Sequence, residues 1–181
     1  MLKQDSRVAE DNRGILRSST GYRVVQLRSD ALQLARRHLI EITSETVARQ
    51  LLYREGMSIG KAAYVTLKEK VSSEEVCWSI FDAFIQRRGW GHVLSHEKAG
   101  SDFSYNIHIG NSALTDGPIM DHPPVCDILR GILGSWLSAF HNRSIGSVVE
   151  EQCVSLGSSF CVFQVALALD VAAAFASAFQ S

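Results

Sequence analysis

The sequence predicts an α+β domain, on three observations. Strand-like runs come in locally joined pairs, helical runs are grouped between them, and the order along the chain is hairpin, helices, hairpin, helix, hairpin. Locally joined strands pair antiparallel, and helices grouped apart from them separate this class from an alternating α/β chain. At 181 residues the chain is long enough for one domain with a sizeable core.

The elements follow in order. "GILRSSTGYRVVQL" reads as a hairpin around a Ser-Thr-Gly turn, with Tyr22, Val24 and Val25 favouring strand. Ser29 or Asp30 is expected to cap a helix through "ALQLARRHLIEI", in which Leu32, Ala35, Leu39 and Ile40 share a face. A second helix is expected from about Ser44 to Glu55, ended by Gly56, and a third from Ser58 through "IGKAAYVTLKEK". Ser72 and Glu75 form a capping box for a fourth, where Cys77, Ile80, Phe81, Phe84 and Ile85 follow helical spacing up to Gly89. "WGHVLSHE" and "FSYNIHIGN" read as two strands around "KAGSD", with Phe103, Tyr105, Ile107 and Ile109 on one face and Asn106 and His108 on the other. His92 and His96 are expected to share a face of the first of these strands. After the loop "SALTDGPIMDHPP", "VCDILRGILGSWLSAF" reads as a helix. Its Gly131 and Gly134 cost it about 2 kcal/mol against alanine, which points to a close neighbour. "SIGSVVEEQC" and "FCVFQVALAL" are the last two strands, joined by "VSLGSS", and "DVAAAFASAFQS" is a short helix or a frayed tail.

Bulk properties exclude some roles. The net charge of −1 gives no electrostatic argument for a nucleic acid or a membrane surface as partner. No run is long enough to span a bilayer, and the polar start "MLKQDSRVAEDNRG" is a loose arm and not a signal peptide, so a cytoplasmic protein is expected. There is no Walker loop, no G-x-G-x-x-G, no G-x-S-x-G and no H-E-x-x-H, so the residues offer no catalytic machinery. His108 is the one histidine singled out, as a hydrogen-bonding group should its strand face line a cavity.

The four cysteines are Cys77, Cys126, Cys153 and Cys161. Cys77 lies on the apolar face of its helix and reads as core. Cys126 opens a helix, where free N–H groups favour a thiolate. Glu150, Cys153 and Cys161 lie on two strands joined by a turn. Three thiolates and a carboxylate would suit a closed tetrahedral zinc site. The residues alone leave that reading open beside a redox pair and beside small buried side chains, since free cysteine is among the most buried residue types.

"GWG" opening a strand, then "PPVCDILRGILGSWLSAF" and "VVEEQCVSLGSSFCVF", together resemble the 4-vinyl-reductase-type domain and the related effector-sensing domain of phenol- and xylene-responsive transcription activators. "YRVVQLRSDALQLARRHLIEITSETVARQLLYREGMSIGKAA" is similar to the latter as well. The resemblance covers about residues 13–169 as one domain, leaving 1–12 as a flexible arm and 170–181 as the tail. It implies a twisted antiparallel sheet with helices packed against it, a fold shared with haem-based nitric-oxide sensors and a subunit class of a Golgi vesicle-tethering complex. Matched by position, it implies zinc on Cys126, Glu150, Cys153 and Cys161, and a small apolar ligand beside the metal in a usually dimeric domain. Phe103, Tyr105, Ile107, His108, Ile109, Trp136 and Phe160 are then expected to line the pocket. Ile109 stands where the aromatic sensors carry a Trp, and the following loop is shorter, so phenol itself is not implied. Ser135 replaces a glycine nine residues after the Cys and is still small.

The expected function is therefore a zinc-stapled binding or sensing module for a small apolar molecule, acting through a protein partner as a homodimer. The alternatives are an accessory factor or reductase in tetrapyrrole synthesis, and a dimeric structural protein. No ATPase or DNA-binding domain follows in the sequence, so the chain is not expected to be a complete activator.

Overall fold

The computed structural model describes residues 28–100, 103–115 and 124–168, and the backbone of 9–10 and 16–17. Two short strands, β1 (Ala9–Glu10) and β2 (Leu16–Arg17), pair antiparallel. The expected hairpin partner at 22–27, the rest of the 1–12 arm and the tail at 170–181 lie outside the described residues. Helices α1 (Ser29–Ile42), α2 (Glu45–Leu67) and α3 (Glu74–Arg87) follow. The hairpin β3 (His92–Lys98) and β4 (Ser104–Gly110) is joined through α4 (Asp127–His141) to the hairpin β5 (Ile145–Gln152) and β6 (Cys161–Leu167). The four strands form one antiparallel sheet in the order β3-β4-β6-β5, so the α+β class and the antiparallel sheet stand.

Alternation sets the sheet's inner face. Tyr105, Ile107 and Ile109 of β4 and Cys161, Phe163 and Val165 of β6 are all fully buried, while Asn106 and His108 point the other way. Against this face lies α4, which in turn carries α2. The result is a central helix covered on both sides, with ten buried residues from Asp127 to Leu137. α3 adds Cys77, Phe81, Phe84 and Ile85 to the same core, as its spacing predicts, with Trp78 buried beyond that set and Ile80 only partly buried.

Three local expectations are corrected. α1 begins at Ser29, one residue earlier than a Ser29 cap implies and two earlier than an Asp30 cap implies, with Arg28 at the N-cap and no side-chain cap bond. The cap of α3 is Ser73 and not Ser72: its Oγ accepts from Val76 N–H and donates to Glu75. His92 and His96 do not share a face, because the register shifts between Val93 and Ser95. That bulge turns His92 to the outer side beside Gly110, while His96 stacks on Trp78 with ring centroids 4.3 Å apart.

The largest correction concerns Gly56, which does not end a helix. The second and third expected helices are one, α2, of 23 residues, and Gly56 and Gly60 are buried inside it. A Cβ on Gly56 would overlap the Ile128 carbonyl, and one on Gly60 would lie 2.5 Å from the Ile132 carbonyl oxygen. Across the contact, a Cβ on Gly131 would overlap the Tyr53 carbonyl. The glycines let the two backbones touch, so their propensity cost is offset by close packing, and Gly131 has the close neighbour its sequence position suggests.

Gly131→Ala should lower stability by about 1–3 kcal/mol despite alanine's better helix propensity, because the added methyl meets backbone on a second buried helix. Urea unfolding followed by circular dichroism measures this; an unchanged midpoint would mean that the helices separate freely.

Candidate metal centre

The end of β4, the start of α4 and the β5–β6 hairpin converge at one end of the sheet. Cys126 is at the N-cap position of α4, which fixes its side chain against β6. Glu150 pairs in register with Phe163 on the inner face of β5, while Glu151 is exposed. Cys153 leaves β5 into a short turn of 3₁₀ helix, Val154–Leu156, closed by Gly157 at φ 92°. Cys161 then opens β6. One ligand atom from each of Cys126, Glu150, Cys153 and Cys161 lies within 4.8 Å of the others, and all four residues are buried.

The spacings suit a tetrahedral ion. Cys161 Sγ lies 3.7 Å from Cys126 Sγ and 3.9 Å from Cys153 Sγ. With Zn–S bonds of about 2.3 Å, thiolates at tetrahedral corners stand about 3.8 Å apart. A disulfide needs about 2.05 Å, and all four cysteines are free, so the redox pair is not formed. Glu150 Oε2 accepts from the Cys126 backbone N–H at 3.1 Å, whereas Oε1 is buried without a hydrogen-bond partner among the described residues. A buried carboxylate oxygen left without a donor is costly, and an ion at the centre of the four would satisfy it.

The electrostatics point the same way. Burial, and then the charge of Cys153, push the Glu150 carboxyl up to about 8. Hydrogen bonds from the Cys126 and Cys161 thiols pull the Cys153 thiol well down, with a further contact from Ser155 Oγ at 3.0 Å. The hydrogen bonds of Cys126 to Cys153 and Cys161, with burial, hold its own thiol up. Four acidic groups packed this closely oppose one another's ionisation, and a dication would favour the charged form of all of them.

The flank of the centre carries a charge that the sequence reading missed. Asp127 is fully buried in the first turn of α4, where Arg130 Nη1 reaches it at 2.7 Å and Arg49 Nε reaches both oxygens at 3.2 Å. Arg130 also lies over the Tyr53 ring, 5.2 Å from its centroid. Asp127 three residues before Arg130 was the available signal, but Arg49 is 78 residues away and gave none.

The residues expected to line a pocket lie in the core and on the outer face of the sheet. Trp136 is enclosed by Tyr64, Phe81 and Phe84 and donates to Cys77 Sγ at 3.2 Å. Burial raises that thiol to about 11, as befits a packed and unreactive cysteine. Tyr105 is buried with its hydroxyl 2.7 Å from His141 Nε2, and Phe103 sits under the Arg143 guanidinium. Ile107 and Ile109 are core, and His108 stacks with Phe160 on the outer face. Tyr64, Phe81, Phe84 and Trp136 pack ring against ring on this side of the core.

A cavity of about 290 Å³ does exist, between α1, α2, the turn at 113–115 and the start of α4. None of those seven residues lines it. Leu32, Ile40, Leu52, Leu114, Val125 and Ile128 form its apolar wall, with Arg36 among them. The signal for Arg36 was in the sequence: Leu32, Arg36 and Ile40 are spaced by four, so an arginine stands on the apolar stripe of α1.

No protein-family model and no curated protein matches the chain. Among solved structures it is similar to the phenol-responsive sensory domain of the transcription activator PoxR with phenol, at 20% identity and TM-score 0.71 over 86% of this chain and 81% of that one. A trafficking protein particle complex subunit 3 from Naegleria fowleri, covalently bound to palmitic acid, is similar at 14% identity and TM-score 0.57, over 78% of this chain and 95% of that one. An H-NOX protein from S. oneidensis in the Fe(II)NO ligation state follows at 8% and 0.55, over 81% and 78%.

Asp127→Ala should cost about 3 kcal/mol, the lower end for breaking a buried ion pair, since both arginines are partly exposed. Arg49→Ala should cost less, because Arg130 remains on the carboxylate; thermal melts of the two variants give the order, and the reverse order would contradict it. The chain has the fold implied by its resemblance to the 4-vinyl-reductase-type and effector-sensing domains, the fold of the PoxR sensory domain.

Proposed function

We propose that the protein is a zinc-stapled module that binds a small apolar molecule and passes its presence to a protein partner. The observation that carries this reading is the four-donor cluster, whose Glu150 Oε1 has no other partner among the described residues. Cys126, Glu150, Cys153 and Cys161 would hold the metal, and four protein ligands leave no open position for water, so zinc supplies structure and not chemistry. It would tie the last hairpin to the first turn of α4.

Two further observations support binding over a purely structural role. A structural building block has no need of an open interior, and this one keeps a cavity of about 290 Å³. The PoxR domain was solved with phenol and the trafficking subunit with palmitic acid, so related folds accommodate small apolar or amphipathic molecules. The outer side of α1 and α2 exposes Ile42, Val47 and Leu51, which supports a partner surface there, a second copy of the chain in a homodimer being the simplest occupant. No helix among the described residues is long and apolar enough to cross a membrane.

Elemental analysis of the purified protein should give about one zinc per chain, and Glu150→Ala and Cys153→Ser should each lose metal and thermal stability together. Protein that holds no metal, with both variants as stable as the parent, would remove the zinc from the proposal. Sedimentation should give a dimer that Val47→Glu with Leu51→Glu converts to monomer; a monomeric parent would remove the homodimer.

A further inference from the structure

The cavity beside α1 is unlike an ordinary packing defect, because it has a largely covered cation in its apolar wall. Arg36 lines it, and the Arg36 side chain is only 13% exposed. Its Nη2 reaches Glu45 Oε1 at 3.3 Å, a long contact for an ion pair. Its Nε is buried and has no hydrogen-bond partner among the described residues. A guanidinium donor in such a place is costly unless an acceptor arrives from outside the described residues. The Nε edge of a guanidinium is also one of the two edges that take a carboxylate in a forked pair.

The remaining lining defines the rest of the occupant. Leu32, Leu52, Leu114, Val125 and Ile128 give it an apolar body. An apolar cavity of about 150 Å³ takes a benzene ring, so 290 Å³ has room for a body of about ten heavy atoms. The charged members of the lining are Arg36, Arg37, Glu41 and Glu45. Arg37 and Glu41 are exposed and stand at the rim, where solvent screens them. The four lining charges sum to zero, so what would select a carboxylate is the unpartnered Arg36 Nε and not an excess of positive charge.

We infer that this cavity is the ligand site, and that it takes an amphipathic monocarboxylate, with the apolar body among Leu32, Leu52 and Ile128 and the carboxylate on Arg36. This deepens the small-molecule reading of the previous subsection and rests on it. The position also gives the occupant access to the metal centre. Val125 precedes Cys126, and Ser155, another lining residue, contacts Cys153 Sγ through its hydroxyl at 3.0 Å. An occupant therefore presses on the two segments that the four-donor cluster holds together.

Titration calorimetry of the metal-loaded full chain with octanoate, octanol and phenol tests the inference. Octanoate should bind about tenfold more tightly than octanol, which has the same body without the charge. Arg36→Met keeps the apolar stem of the side chain and should erase that preference. Leu52→Trp, which fills the cavity, should abolish both; if it fails to fold, Arg36→Met alone carries the test. Equal binding of octanoate and octanol, or a preference that survives Arg36→Met, overturns the assignment. Binding of phenol alone, or of any probe with undiminished strength in folded Leu52→Trp, also overturns it, while leaving a small-molecule module in place. No binding of any of the three by the parent counts against both.

Discussion

A helix buried on every side has to meet its neighbours through backbone as well as side chains, and α4 is such a helix. One flank lies on the sheet and the other on α2. The contact with α2 is possible only because Gly56, Gly60 and Gly131 leave the two backbones free to touch. This close approach sets the thickness of the molecule. It brings the Arg49 side chain of α2 within reach of Asp127, and it holds the first turn of α4 at the height where Cys126 meets the last hairpin. The charge pair, the donor cluster and the cavity wall at Val125 and Ile128 all depend on where that first turn sits.

Legibility in the sequence followed the range of the interaction. α3 and β4 were readable because their periodicities are local and each has a single buried face. α4 was readable as a helix, and its glycines announced a near neighbour without naming it. Gly56 misled for the same reason that it is useful: a glycine inside a helix carries the local signature of a helix end, and only the distant Ile128 carbonyl shows that it is a contact. The bulge beside Leu94 left no mark in the pattern, so the faces of His92 and His96 were misassigned. The donor set was legible as residue types, but not as a site. Cys126 is 24 residues from Glu150 and 35 from Cys161, and nothing local says that they meet; the family resemblance gave the grouping. The aromatic residues were the least legible, since a ring that lines a pocket and a ring that fills one have the same sequence signature.

The end of the molecule with the donor cluster is also where its polar burial is concentrated. Asp127 and Glu150 are buried beside the start of α4, one answered by two arginines and the other by a backbone N–H on a single oxygen. The free N–H groups at the start of a helix favour negative charge, and both carboxylates exploit the same end. The opposite end of α4 is neutralised differently: Asn142 closes it in the left-handed conformation, and the Tyr105 hydroxyl meets His141 in the last turn.

The two walls of the cavity differ in stiffness. The α4 side is packed between sheet and α2, backbone against backbone at Gly56 and Gly131. The α1 side has no fully buried residue among those described; Leu32 packs against the core, Arg36 reaches Glu45, and Gln33 makes a 3.5 Å contact with the Leu114 carbonyl. Elements with few buried contacts open at lower free energy than the core they lean on. Anything too large for the cavity will therefore move α1 and leave α4 in place, so the compliance of the molecule is directed outward, towards the surface that carries Ile42 and Leu34.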